Sequence, residues 1–130
     1  MGDRANVCIV QHGNSKALLY LYTHWGGEAL PRTLQAALRR KLRWTDEAYL
    51  ARIIFCEMIR GYERTETGFG IATSLCDNEH PILVVDCDKQ TVGVAHEGNE
   101  PTCYKSWSFS EFIELDLTTL PLSGYDEGGY

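Results

Sequence analysis

The spacing of apolar and polar positions shifts from a period of two to a period near four and back again along the chain. Residues 5–12 (ANVCIVQH) are apolar and β-branched, Gly13-Asn14-Ser15-Lys16 supplies turn chemistry, and residues 17–23 (ALLYLYT) read as a second strand. This predicts a hairpin with a loop of about four residues. In its second strand Leu19 and Leu21 share one face and Tyr20 and Tyr22 the other, so both faces of the sheet are expected to be covered. His24-Trp25-Gly26-Gly27 ends the alternation. Beyond it Leu30, Leu34, Leu38 and Leu42 recur with Ala37 among them, the stripe of an amphipathic helix that starts near Pro31 and ends around Arg43. Thr45 or Asp46 is placed to cap a second helix, with Asp46 and Glu47 at its positive end. Tyr49, Leu50, Ile53, Ile54, Cys56, Met58 and Ile59 cover more than half of that helix's circumference, which predicts burial on two sides. Gly61 stands where a left-handed cap belongs, and the short connection predicts an antiparallel αα-hairpin.

After a polar, glycine-containing loop (62–70) the pattern returns to strands: ATSLC (72–76), ILVVDC (82–87), TVGVAH (91–96) and CYKSWSF (103–109). Ile82–Val85 is an unbroken apolar run, as in a central strand buried on both faces. Ser110 is placed to cap a short helical turn (SEFIEL), whose alternation also permits a strand. The expected fold is α+β: an antiparallel sheet packed by an αα-hairpin, in the order ββ-αα-ββββ with a short C-terminal helical turn or strand. One domain over residues 1–120 and a loose tail over 121–130 are expected.

Composition narrows the function classes. With 130 residues, 44% apolar and 23% charged, the chain suits one folded domain. No apolar run approaches the roughly 20 residues that span a bilayer, and no signal-peptide pattern follows Asp3 and Arg4, so a cytoplasmic location without membrane partners is expected. The net charge of −6 is uneven, +3 over residues 1–73 and −9 over 74–130, which argues against nucleic acid as a partner. The one basic cluster, Arg39, Arg40, Lys41 and Arg43, reads first as cations opposing a helix dipole and second as a phosphate patch. The five cysteines, Cys8, Cys56, Cys76, Cys87 and Cys103, are odd in number and include no Cys-x-x-Cys, which points to reduced thiols. Cys76, His80, Cys87, His96 and Cys103 lack the close ligand pairs of a zinc site. Asp86 and Asp88 flank Cys87 at a strand end on one face, a spacing that suits a divalent cation but more often forms turns. No metal or cofactor is called for.

Chemistry concentrates in Thr23-His24-Trp25-Gly26-Gly27-Glu28, between a strand end and a helix start, where backbone N–H groups can receive an anion. His24 is the candidate acid/base and Trp25 a stacking surface; the plain alternative is a tight turn with the indole plugging the core edge. Antiparallel pairing of the first two strands brings Asp3, Arg4 and Asn6 toward His24 and Glu28. Candidate ligand-binding residues are therefore Asp3, Arg4, Asn6, His24, Trp25, Gly26, Gly27 and Glu28. The loop from Glu63 to Gly70 is a candidate lid without the spacing of a phosphate-binding loop. No nucleophile elbow or metalloprotease helix motif occurs in the sequence.

Met1 to Asn6 (MGDRAN), Leu21 to Gly27 (LYTHWGG) and Trp44 through Arg52, a Trp-x-Asp-x-x-Tyr-Leu-Ala-Arg stretch, together resemble a group of small uncharacterised bacterial and phage-associated proteins. The resemblance covers roughly the first 70 residues, with Gly68-Phe69-Gly70 as an extension. It carries no catalytic residue over and implies a mobile-element setting. Three expectations follow. The first is a non-enzymatic binding protein that sequesters a small anionic ligand or blocks a host protein. The second is a small enzyme acting on a polar or anionic substrate, with His24 as acid/base and Arg4 holding negative charge. The third is a homo-oligomer paired through a strand edge or tyrosine face.

Overall fold

A computed structural model of the chain describes residues 2–118. The strands are β1 (Ala5–Gln11), β2 (Asn14–Thr23), β3 (Phe69–Ala72), β4 (Ile82–Asp86), β5 (Thr91–Ala95) and β6 (Lys105–Ser108). The helices are α1 (Leu30–Arg39), α2 (Glu47–Met58) and α3 (Phe109–Phe112). The six strands form one sheet in the order β3-β2-β1-β4-β5-β6. The fold is α+β, but the sheet is mixed rather than wholly antiparallel, because β1 and β4 run parallel with Val7 opposite Leu83. Along the chain the elements run ββ-αα-ββββ and close on the short third helix α3. The expected tail over 121–130 lies outside the described residues.

The parallel pair has a topological cause. β3 pairs with β2 at the outer edge of the sheet, whereas β4 lies beyond β1, so residues 73–81 must pass over two strands. They do so on the face opposite the helices, where Leu75 packs against Cys8, Val10, Tyr20, Ile82 and Val84. A connection that crosses over rather than turning back delivers the next strand parallel to β1. Ile82, Leu83, Val84 and Val85 are all buried, as a central strand requires.

Strand limits also differ from expectation. β3 comprises FGIA rather than ATSLC, because Phe69 and Ile71 pair with Thr23 and Leu21 before the chain leaves the sheet at Thr73. The first connection is only His12-Gly13, with Gly13 at φ 68°, because β2 already begins at Asn14. Two carboxylates hold this turn: Glu47 accepts from the His12 amide at 3.0 Å and Asp88 from the Gly13 amide at 3.2 Å.

The helices cover the face carrying Val7, Ile9, Leu21, Leu83, Val85, Val92 and Val94. α1 contributes Leu30, Leu34, Ala37 and Leu38 but stops at Arg39, because Lys41 and Arg43 take positive φ (54° and 57°). Leu42 therefore leaves the predicted stripe and is exposed. Of the basic cluster, Arg39 alone lies in the last helical turn, and it donates to the Ile113 carbonyl at 2.7 Å. Arg43 instead lies 4.6 Å from the centre of the Tyr49 ring. Asp46 caps α2 by accepting from the amides of Ala48 and Tyr49. The apolar face of α2 is narrower than its sequence suggests: Leu50, Ala51, Ile53 and Ile54 are buried while Tyr49 and Cys56 are exposed. α2 ends at Met58 with Ile59 as its cap residue, and Gly61 follows at φ 86°. Ser108, not Ser110, caps α3 in a reciprocal capping box with Glu111. Buried Gln35 ties α1 to this end of the chain through the Phe112 and Leu115 carbonyls at 3.0 and 2.9 Å.

Candidate functional site

Because Ala5 pairs with Thr23, the residues preceding β1 meet those following β2. The Asp3 amide donates to the His24 carbonyl at 2.7 Å, and the Asp3 carbonyl accepts from the Gly27 amide at 2.8 Å. Its carboxylate caps the Glu28 amide at 2.7 Å through Oδ2 and meets His80 Nε2 at 2.5 Å through Oδ1. His80 is only 7% exposed. Gly27 occupies the gap between these groups. A Cβ there would come within 2.6 Å of the Asp3 carbonyl oxygen and 2.7 Å of the His80 ring, so any side chain would force one of these neighbours to shift.

Arg4 is committed to the chain's own carboxylates. Its Nε donates to Glu79 at 3.2 Å, its guanidinium lies 3.5 Å from Asp77, and its amide donates to the same Glu79 oxygen at 2.7 Å. The Arg4 amide, and then its guanidinium, hold the Glu79 carboxyl below its ordinary range. Asn6, fully buried, donates to the Asp77 carbonyl and to Asn78 Oδ1, each at 3.2 Å. Its own Oδ1 has no hydrogen-bond partner among the described residues. His24 meets the Tyr22 hydroxyl at 2.8 Å through Nδ1 and stands edge-on to Trp25 with ring centres 5.2 Å apart.

Asp3, Arg4 and Asn6 thus reach the His24–Glu28 connection or the segment beside it, as antiparallel pairing implies. The sequence reading missed Asp77, Asn78, Glu79 and His80 as members of this cluster. From the sequence His80 reads as a turn residue or as a member of a zinc set, and the parallel β1–β4 pairing that brings residues 77–80 alongside Arg4 leaves no local mark there. Nor do Asp86 and Asp88 converge on one ion: Asp86 accepts from the Lys89 amide at 3.1 Å, and Asp88 reaches His12 at 2.7 Å. Among the described residues no group of three or more His, Cys, Asp or Glu is arranged to hold a metal. No helix among them is long and apolar enough to cross a membrane.

On the other side of the same connection lies a cleft of about 380 Å³. It is lined by Thr23 of β2, Trp25 in the connection that follows, Leu30 and Thr33 of α1, Met58 at the end of α2, Tyr62 beyond it and Phe69 of β3. Trp25 is 53% exposed and Tyr62 57%, so the indole does not plug the core as a turn residue would. It rests on Gly68, where φ is 101° and a Cβ would overlap the ring, while the Gly68 carbonyl accepts from the His24 amide at 2.8 Å. Tyr62 and Phe69 face each other with ring centres 6.0 Å apart. Of the sequence-predicted residues only Trp25 and Gly26 line this cleft; His24 and Arg4 do not.

No protein-family model, curated protein or solved structure matches the chain.

Proposed function

We propose that the chain is a non-enzymatic binding protein that sequesters a small, planar, predominantly apolar ligand in the cleft between Trp25, Tyr62 and Phe69. The observation that carries this reading is the indole itself: a large aromatic surface left exposed at a concave apolar site, and seated on a glycine that admits no side chain. The cleft volume of about 380 Å³ suits one or two fused rings. Stacking on an aromatic plane adds about 0.5–1.5 kcal/mol to the gain from buried area.

The polar cluster argues for binding rather than catalysis. The charge of Arg4 is offset by Glu79 and Asp77, which disfavours an anionic substrate beside it, and His24 and Arg4 lie outside the cleft. In this reading Asp3, Arg4, Asn6 and His80 are scaffold: they fix the strand ends and hence the position of Trp25.

The test is a titration with the fluorescent probe 1-anilinonaphthalene-8-sulfonate, read by probe emission and by energy transfer from tryptophan. The expected result is saturable one-to-one binding that Trp25→Ala weakens at least about fivefold, the equivalent of about 1 kcal/mol. Undiminished binding by a folded Trp25→Ala variant would contradict the proposal.

A further inference from the structure

A second cavity, of about 470 Å³, lies on the helix-free face of the sheet, remote from the cleft. Val10, Val84 and Gly93 of the sheet line it, together with Thr102 and Cys103 of the β5–β6 connection. Cys103 packs directly on Gly93, where a Cβ would overlap the thiol. The thiol donates to the Pro101 carbonyl at 3.5 Å, and burial pushes its pKa up to about 11, so at neutral pH it forms a neutral wall.

The rim is charged in both senses. Asp86, at the end of β4, and Lys89, in the following turn, both line the cavity, as does Cys103. Neither enters an ion pair among the described residues: the Asp86 carboxylate accepts only from the Lys89 backbone amide at 3.1 Å, and no carboxylate lies within bridging distance of the Lys89 ammonium. Thr91 and Ser106 line the same cavity. A cavity that presents one carboxylate and one ammonium, unpaired with each other, complements a ligand carrying the opposite pair. A bare cation would be repelled by Lys89 and a bare anion by Asp86.

We propose that this cavity is a binding site for a small zwitterion of the α-amino-acid class, its ammonium facing Asp86 and its carboxylate facing Lys89. The site is independent of the aromatic cleft, and either can fail without the other.

The test is ¹⁵N-resolved NMR of the intact chain, titrated with the free amino acids, first pooled and then singly, with acetate and methylamine as single-charge controls. Saturable shifts at the Gly93, Thr102 and Ser106 amides are expected for at least one amino acid. Asp86→Asn and Lys89→Met should each weaken its binding at least about tenfold while leaving the rest of the spectrum in place. Absence of these shifts with every amino acid at about 10 mM, a concentration that detects even millimolar affinity, would overturn the proposal. So would equal binding of acetate or methylamine, or binding unaffected by both substitutions.

Discussion

Replacing Gly27 by alanine puts the scaffold role of the amino-terminal cluster under direct load. The new methyl group would lie 2.6 Å from the Asp3 carbonyl oxygen and 2.7–2.8 Å from two atoms of the His80 ring. Neither neighbour can retreat cheaply. The Asp3 backbone is bonded on both sides, to His24 and to Gly27 itself, and the His80 ring is held by the Asp3 carboxylate. Overpacking of this kind costs about 1–3 kcal/mol. Opening the Gly27–Asp3 bond adds about 1 kcal/mol, which together gives a destabilisation of about 2–4 kcal/mol. For a chain of this size each kcal/mol shifts the melting midpoint by about 4 °C, so Gly27→Ala should melt about 8–16 °C lower than the parent. Gly70→Ala is the matched control, because a Cβ there meets nothing within 4 Å. It should melt within about 2 °C of the parent, as substitutions away from packed features usually do. Thermal unfolding followed by circular dichroism compares all three proteins. If Gly27→Ala melted with the control, the closure around Asp3 and His80 would not be the constraint described.

Asp46→Ala removes the side chain that accepts from the Ala48 and Tyr49 amides and should cost about 1 kcal/mol in urea denaturation, with an unchanged m value. Among the thiols, exposed Cys56 should react first with Ellman's reagent at pH 8, while Cys8 and Cys87, pushed up to about 12 by burial, stay silent until unfolding; Cys56→Ser should abolish the fast phase. The His12–Asp88 pair should link stability to pH in two directions. Its hydrogen bond with Asp88 raises the His12 pKa above the ordinary 6.5, so that contribution is full below 6.5 and is lost as pH rises through the raised value. The same bond lowers Asp88 below its ordinary 3.8, so that contribution is full above 3.8 and is lost as pH falls through the lowered value. An NMR titration of the His12 ring should therefore move toward the ordinary value in Asp88→Asn; an unmoved titration would refute the pairing.

What could be read from the sequence depended on how local its cause was. The helical stripe of Leu30, Leu34 and Leu38, the Asp46 cap and the buried run Ile82–Val85 follow from periodicity and end chemistry that neighbouring residues carry themselves. The failures arise where distant segments decide. Lys41 and Arg43 turn left-handed and strand Leu42 outside its stripe, which no four-residue spacing reveals. β3 is chosen by the partner it finds on β2, not by its own apolar content, so FGIA pairs and, of ATSLC, only Ala72 does. The meeting of Asp3 with Gly27 and Glu28 could be inferred because a hairpin brings its own ends together. The arrival of Asn78, Glu79 and His80 could not, because it depends on a crossover between strands far apart in the chain. Trp25 reads as a stacking surface from its own neighbourhood, yet Met58, Tyr62 and Phe69, which complete the cleft, come from α2, the loop after it and β3.

The division of labour between cleft and cluster is tested most directly by titrating the ¹⁵N-labelled protein with indole and mapping which amides move. The account predicts saturable shifts centred on Gly26, Ala29, Met58 and Phe69, with the amides of Asp3, Arg4, Asn6 and residues 77–80 left in place. Shifts centred on that polar cluster, with the cleft amides unmoved, would contradict it.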